Sequence, residues 1–222
     1  MKFIAFAAVV LTLSSAAARA GQDPAINATV QAEFTDEQLS PSHWKLTLHP
    51  DGSGHFSSQM GKPSTEDTGE IDIPNLDRDV KLSTAFASHV FQVALRHHEF
   101  NEECDGRLKV AFQGWKKLSY SGPEGSGSCT YNFSQDKEIQ ALGDSMQAVA
   151  ETILEGARIE KLLQHDRLGL DKEMEYLVDA AGSGRAKEFG AIREILVRLA
   201  DDDQVLERVR KRARMLLAQA GT

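Results

Sequence analysis

Apolar and polar residues alternate over Trp44–Leu48, the pattern of a strand with one buried face. The next segment, His49–Gly54, contains a proline and two glycines and is followed by His55 and Phe56. Because proline presets φ and glycine permits positive φ, this composition favours a tight turn. The sequence therefore predicts a β-hairpin here, followed by a loop over residues 57–75, which are rich in Ser, Thr, Gly and Pro and lack periodicity.

A different spacing begins at Ser83, where Phe86, Val90, Val93 and His97 follow at intervals of three and four residues. Serine is a favoured N-cap, and the spacing places the four later residues on one side of a helix of about four turns. We therefore predict a helix that packs across the sheet through this apolar stripe.

Strand patterns return after the helix. Leu108–Phe112 and Lys117–Tyr120 are predicted as strand, the glycine-rich run 121–127 as a turn, and Cys129–Phe133 as another strand. The order is then a pair of strands, a helix and a second pair of strands, which indicates a small antiparallel sheet.

From Ser134 onward the sequence has no proline, and its aromatic residues are Tyr176 and Phe189. Apolar residues recur there at intervals of three and four, which predicts helices with short connections that pack as an antiparallel bundle. Ser134 is the predicted N-cap of the first helix, and Gly156 is predicted to kink or end it. The predicted apolar faces are Ile139–Ile153, Met174–Ala181, Ile192–Leu199 and Leu206–Leu216.

The predicted fold class is therefore α+β, with an antiparallel sheet (strand-strand-helix-strand-strand) followed by a C-terminal helical bundle. We divide the chain into a β-rich segment over residues 21–133 with one crossing helix and an all-helical segment over residues 134–222.

The chain has 25 basic and 33 acidic residues among 222, a net charge of −8 at pH 7. Removal of residues 1–20 takes away Lys2 and Arg19 and no acidic residue, which changes the net charge to −10. The excess lies mainly in residues 21–133, which carry −7, whereas residues 134–222 carry −3. Nucleic-acid-binding domains carry net positive charge or a dominant basic face, so we expect no nucleic-acid partner.

The N-terminus has the layout of a cleavable secretory signal peptide. Lys2 supplies the basic start, Phe3–Leu13 the apolar run, and Ala18-Arg19-Ala20 the small-x-small ending. The apolar run is shorter than the about 20 residues that cross a bilayer. We expect cleavage after Ala20, no integral membrane association of the mature chain, and a secreted or periplasmic location.

The two cysteines, Cys104 and Cys129, would be oxidised in such a compartment. We predict a disulfide bond that closes a loop of about 25 residues and stabilises the fold by about 3 kcal/mol. The alternative is that one of them acts as a nucleophile beside His97 or His98, which no local spacing supports.

The densest group of possible metal ligands is His97-His98-Glu99, followed by Glu102, Glu103 and Asp105, with His89 upstream. We call its candidate metal ligands, His97, His98 and Glu102, the histidine cluster. Adjacent residues of a helix point about 100° apart, so both histidines cannot face one ion from a regular helix. No His-Glu-x-x-His spacing occurs either. A hydrogen-bonded core histidine is the favoured interpretation of His97, and we predict no cofactor.

Other catalytic patterns are absent from the sequence. The glycine-rich run 121–127 lacks the Gly-Lys-Ser/Thr ending of a phosphate-binding loop. There is no Gly-x-Ser-x-Gly nucleophile elbow, and no carboxylate pair stands out from the many acidic residues. These absences favour a non-catalytic role.

Two sequence features bear on recognition. Trp115 lies between Gly114 and Lys116, and tryptophan beside basic residues is common in binding sites, although a core position is the alternative. The basic run Arg208–Arg214 could attract an anionic partner or a membrane surface. Its apolar residues have core spacing and its charges complement the helix dipole, so a solvated helix face is favoured.

These observations favour an exported, non-catalytic binding or interaction protein of the cell envelope or extracellular space, with an unidentified protein or small-molecule partner. Trp115, His49 and His55 are the predicted binding residues. One alternative is a secreted hydrolase or metalloenzyme that uses the histidine cluster. Another is a structural helper that docks a partner through its helical bundle. In architecture alone, the predicted sheet segment resembles small secreted binding and inhibitor modules of exported bacterial proteins.

Overall fold

The computed structural model describes residues 28–61, 75–107 and 109–220. Within these ranges, six strands form one antiparallel sheet, and five α-helices accompany it. The α+β class, the antiparallel sheet and the helical C-terminal part are therefore confirmed. The predicted signal peptide lies outside the described residues.

The sheet has the strand order β4-β3-β2-β1-β5-β6, and each neighbouring pair is antiparallel. The strands are β1 (Thr29–Thr35), β2 (His43–Leu48), β3 (Ser53–Gln59), β4 (Leu76–Lys81), β5 (Trp115–Gly122) and β6 (Gly125–Tyr131). The helices are α1 (Thr84–Arg96), α2 (Lys137–His165), α3 (Leu170–Gly182), α4 (Arg193–Asp201) and α5 (Glu207–Gln219). None of the helices in the described part of the chain is long and apolar enough to cross a membrane.

The predicted hairpin is confirmed as β2 and β3, but two strands of the sheet were not predicted. In β1, Val30, Ala32 and Phe34 alternate with polar residues and are buried, so a strand pattern was present. In β4, Leu76 and Val80 are buried, but three charged residues separate them and hide the pattern. Pairing with β3 makes this charged segment a strand.

One predicted strand is absent. Residues 109–114 have no regular secondary structure, and Leu108 lies outside the described residues. The side chain of Asn132 holds this segment, since its Oδ1 accepts a hydrogen bond from Gln113 N at 2.7 Å and its Nδ2 donates to Ala111 O at 3.3 Å. A side chain thus satisfies main-chain groups that strand pairing would otherwise satisfy.

The first helix begins where the sequence predicted. The Ser83 Oγ accepts a hydrogen bond from Phe86 N at 3.1 Å, which caps α1. Val90 and Val93 are fully buried on the predicted stripe. They belong to the same apolar cluster as the inner faces of the strands, so α1 packs on the sheet.

The second helix differs from its prediction at two points. Its N-cap is Asp136 rather than Ser134, because the Asp136 carboxylate accepts hydrogen bonds from the main-chain N–H groups of Glu138 and Ile139. It also continues without a break through Gly156 and has 29 residues. At that glycine, a Cβ atom would lie 2.3 Å from Ile192 Cγ2, so glycine permits close packing rather than ending the helix.

The length of α2 lets it join two apolar clusters. Its first part, from Lys137 to Ala157 or about six turns, packs into the cluster beneath the sheet and α1. Beyond that point, Ile159, Leu162 and Leu163 belong to a second cluster formed with α3, α4 and α5. The sheet-side core therefore includes residues from both segments into which the sequence was divided.

Candidate functional site

The sheet has one covered and one polar face. Because side chains alternate along a strand, the buried residues of each strand lie on the face that packs against α1 and α2. The opposite face, called here the outer face, carries partly exposed polar side chains. Thr35 and His43, for example, lie opposite each other on β1 and β2, and their Oγ1 and Nδ1 atoms are 3.0 Å apart.

His55, one of the predicted binding residues, lies on the outer face of β3. Its Nδ1 is 2.9 Å from Asp79 Oδ1 and its Nε2 is 3.2 Å from Asp77 Oδ1, so the ring bridges two carboxylates of β4. These carboxylates were not singled out in the sequence. His49 lies in the turn between β2 and β3, where its main-chain N–H and C=O bond to Ser53 and Gly52.

Trp115, the other predicted binding residue, is the first residue of β5 and is 47% exposed. Its indole contacts the ring of Phe112 edge to face, with centroids 5.9 Å apart. Phe112 is 54% exposed and Val110 in the same segment is 38% exposed. We call Val110, Phe112 and Trp115 the aromatic patch.

The main chain beside the patch is fixed by close packing. Gly114 has a φ of 86°, and a Cβ atom at this position would lie 2.3 Å from the Phe34 ring. A left-handed conformation and this contact together require glycine. Together with the Asn132 hydrogen bonds, the conformation of Gly114 directs the side chains of Phe112 and Trp115 towards solvent rather than towards the core.

The structure brings Trp115 and His55 onto one face but does not bring them together. Trp115 pairs with Thr35 at one end of β1, and His55 pairs with Thr47 towards the other end of β2. Three strand spacings also separate β3 from β5, about 14 Å at the usual strand distance. The predicted binding residues therefore do not form one compact site, whereas Phe112, which was predicted to lie in a strand, is next to Trp115.

His97 ends α1 as its C-cap and lies between two carboxylates, with a side chain 13% exposed. Its Nδ1 is 2.7 Å from Glu102 Oε1, and its Nε2 is 2.9 Å from Glu138 Oε2 at the start of α2. Burial lowers the pKa of His97, but its hydrogen bonds with Glu102 and Glu138 outweigh burial, so the pKa is raised above 6.5. Through Glu138, the ring joins the end of α1 to the start of α2.

The other members of the histidine cluster are placed differently. His98 begins a 3₁₀ turn, has a φ of 50°, and does not share the position of His97 between the carboxylates. Glu102 is the partner of His97 Nδ1. Among residues 28–61, 75–107 and 109–220, no three His, Cys, Asp or Glu side chains are grouped so that they could hold a metal ion.

The cysteines lie at disulfide-bonding distance. Cys104 and Cys129 have sulfur atoms 2.05 Å apart and are both buried. The bond ties the segment after α1 to β6. In the same region, Gly106 N donates to Phe133 O at 2.8 Å.

The arginines of α5 are engaged in ion pairs within the protein. Arg208 Nε and Arg212 Nη1 lie 2.6 and 2.7 Å from the same Asp171 oxygen on α3. Arg210 and Arg214 both pair with Glu207. The Asp171 contacts hold α5 against α3, and all these ion pairs leave less of the arginine charge for an anionic partner.

Comparison with known proteins adds no functional assignment, because no protein-family model and no curated protein matches the chain. The fold and surface describe a mixed α+β protein with a polar outer sheet face and an exposed aromatic patch at one corner of that face.

Proposed function

We propose that this chain is a non-catalytic binding protein of the cell envelope or extracellular space, and that it contacts a partner protein through the aromatic patch. The observation that carries the proposal is the pair formed by Phe112 and Trp115. About half of each side chain faces solvent, although aromatic rings of this size gain most from burial. Tryptophan is also among the residues that most often dominate the binding energy of protein interfaces.

The surroundings of the patch support a protein partner rather than a small molecule. Small-molecule sites are concave and enclose most of their ligand, whereas about half of each of the Phe112 and Trp115 side chains faces solvent. A cleft of about 690 Å³ lies beside β4, and another of about 400 Å³ lies at the start of α2. Residues outside the patch line both. Lys109 beside Val110 is exposed, and Lys117, two residues after Trp115, lies 3.5 Å from Glu33. Polar residues of this kind are typical of the border of an interface.

Two observations support the location. Cys104 and Cys129 are at disulfide-bonding distance, and disulfides persist mainly in oxidising compartments. The N-terminal sequence predicts export. The histidine cluster gives less support to a metalloenzyme, because both ring nitrogens of His97 are bound to carboxylates.

The test compares capture by three forms of the purified protein from an extract of the source cells. The wild type, a Phe112→Ser/Trp115→Ser double variant and a Leu168→Ser control are immobilised in equal amounts. Leu168 is 86% exposed and follows α2, away from the sheet, so the control removes an exposed apolar side chain of similar character.

We expect a protein that is retained by the wild type and the control and lost with the double variant. Its binding should then be reproduced with the purified partner. If every retained protein binds all three forms equally, the aromatic patch is not the binding surface and the proposal fails. Thermal unfolding should be unchanged in both variants, since the substituted side chains lie on the surface.

A further inference from the structure

The two edge strands of the sheet have different surroundings. At β6, the segment after α1 packs on the buried face of the strand, so that a Cβ atom on Gly127 would be 2.5 Å from Glu99 O and 2.9 Å from Asn101 N. The disulfide between Cys104 and Cys129 fixes this packing. At the other edge, β4 pairs with β3 alone in the strand order.

The hydrogen-bond pattern shows which main-chain groups of β4 point outward. Leu82 N donates to Gly52 O at 2.8 Å, so the residues two and four positions earlier also direct their main-chain groups towards β3. Asp77, Asp79 and Lys81 direct theirs away from the sheet. Within the described residues, these three have no main-chain hydrogen bond on that side.

Within the described residues, part of this edge is covered and part is open. Lys81 O faces Gly190, where a Cβ atom would lie 3.7 Å away. Asp77 and Asp79 instead border the cleft of about 690 Å³, whose opposite wall is the segment 190–195. The open edge therefore offers the N–H and C=O groups of two residues beside a cleft, the arrangement that recognises peptides by strand addition.

The floor of this cleft is polar and internally paired. Glu160 of α2 contacts Arg78 at 3.6 Å and Arg198 of α4 at 3.4 Å. Ile192 and Ile195, whose side chains are buried, also line the cleft. A small polar side chain of a bound segment fits over this floor better than an arginine or lysine. A basic side chain there would meet the guanidinium groups of Arg78 and Arg198.

The negative charges at the edge of β4 favour a basic partner. The Asp77 and Asp79 side chains are 83% and 96% exposed and lie on the outer face. Residues directly opposite each other on paired strands interact, and opposite charges are favourable whereas like charges are not. A segment with basic residues two positions apart would place one opposite each carboxylate. A second copy of this chain that paired antiparallel through the same edge, with the two-fold axis at Arg78, would place Asp77 opposite Asp79.

We propose that the open edge of β4 binds an extended basic segment of another protein as a seventh, antiparallel strand, with Lys or Arg at alternate positions opposite Asp77 and Asp79. This site is four strand spacings from Trp115 and does not depend on the aromatic patch. Main-chain hydrogen bonds to β4 bind the segment, and the carboxylates of Asp77 and Asp79 make binding specific for basic residues.

The first test uses the wild-type protein and fluorescent peptides, with binding measured by anisotropy. The peptide Thr-Lys-Thr-Lys-Thr should bind saturably. Thr-Thr-Lys-Lys-Thr, of the same composition, should bind more weakly because its lysines point to opposite faces of a strand. Methylation of the lysine main-chain nitrogens should abolish binding, whereas methylation of the central threonine nitrogen should not, because that N–H points away from β4.

The second test changes the protein. Asp77→Asn/Asp79→Asn should weaken binding of the alternating peptide about tenfold, as expected for the loss of two cross-strand ion pairs. Asp79→Pro should abolish binding, since it removes an outward N–H that β3 does not use, while Asp79→Asn alone keeps that N–H and should retain binding. Peptide binding should slow amide hydrogen exchange at Asp77 and Asp79.

Phe112→Ser/Trp115→Ser should leave peptide binding unchanged, so failure of the aromatic-patch proposal and failure of this one are distinguishable. Absence of saturable binding, equal binding of the two lysine peptides, or binding that survives methylation of the lysine nitrogens would overturn the strand-addition site. A concentration-dependent dimer that Asp79→Pro dissociates would also overturn it, because the edge would then pair with a second copy.

Discussion

Glu188 binds Ser83 through both carboxylate oxygens, although 105 residues separate them. Its Oε2 accepts from Ser83 N at 2.6 Å, and its Oε1 accepts from Ser83 Oγ at 2.9 Å. The same Oγ accepts from Phe86 N in the cap of α1. A carboxylate from the loop between α3 and α4 thus extends the cap of the helix on the sheet, where negative charge is favourable.

We expect Glu188→Ala to lower the free energy of unfolding by about 1–2 kcal/mol, because two hydrogen bonds to a charged group are lost. Ser83→Ala should cost a similar amount, and the double variant should cost less than the sum of the two, because both changes remove the same contact. Denaturant unfolding of the four proteins gives the coupling. Strict additivity would show that the contact contributes nothing in solution.

His97 predicts a pH dependence of stability. Its raised pKa in the folded protein means that its contribution is complete below pH 6.5 and is lost as the pH rises through the folded value. The hydrogen bonds from Arg96 and then His97 lower the pKa of Glu138 to about 2 from 4.5. The contribution of Glu138 is therefore complete above pH 4.5 and is lost as the pH falls towards 2. Both contributions are present between about pH 4.5 and 6.5.

The measurement is the melting temperature at pH 5.5 and 8.0. The wild type should lose stability between these values, and His97→Gln should lose less because it cannot carry the proton. An NMR titration of the His97 ring should give a pKa above 6.5. A ring that titrates below this value, or an identical fall in the variant, would contradict the assignment.

Glu155 predicts the opposite kind of pH effect within the helical part. Its carboxyl is 2% exposed, and burial, followed by a hydrogen bond with Glu173, raises its pKa to about 8 although Arg158 acts against both. The folded protein therefore retains a proton that the unfolded chain releases, and stability falls as the pH rises from about 4.5 to 8.

Glu155→Gln should remove this loss, because an amide has the same shape and cannot ionise. We expect little change in melting temperature at pH 5 and an increase of several degrees at pH 8.5, where the wild-type carboxyl has to ionise in its buried site. An equal change at both pH values would mean that packing rather than ionisation determines the effect of Glu155.

Gly156 predicts a packing effect that overrides helix propensity. Alanine is favoured over glycine inside a helix by about 1 kcal/mol, but its Cβ would lie 2.3 Å from Ile192 Cγ2. We expect Gly156→Ala to destabilise the protein by about 1–3 kcal/mol, the usual cost of overpacking.

Gly182 at the end of α3 provides the matched control, because a Cβ there has no neighbour within 4 Å. Gly182→Ala should be neutral or stabilising by up to about 1 kcal/mol. Calorimetry of both variants decides the matter, and a stabilising Gly156→Ala would show that α2 and Ile192 are not in contact in solution.

Prediction from sequence succeeded where local spacing and burial agree. The apolar stripe with Val90 and Val93, together with Ser83 as N-cap, correctly predicted α1. The apolar residues spaced three and four apart after residue 134 predicted the later helices. It failed for β4, because the charges between Leu76 and Val80 resemble a loop until β3 is placed beside them. It also failed for residues 109–114, where Asn132 rather than a neighbouring strand satisfies the main chain.

The candidate sites follow the same division. The sequence drew attention to Trp115 by its neighbours but gave no sign that Phe112 would contact it. His97 was recognised as a core histidine on a helical stripe, yet its partner Glu138 lies 41 residues away. Asp77 and Asp79 were not predicted as site residues, because their position at a sheet edge depends on the strand order.

The sequence by itself determined the α+β class, most helix faces, and the two cysteines available for a disulfide, because these depend on residue type and on spacing within a few turns. Only the tertiary structure decided which strands form the edges of the sheet, which carboxylates surround His97, and which aromatic rings face solvent. These features depend on contacts between residues far apart in the chain, and local spacing does not determine which distant residues come into contact.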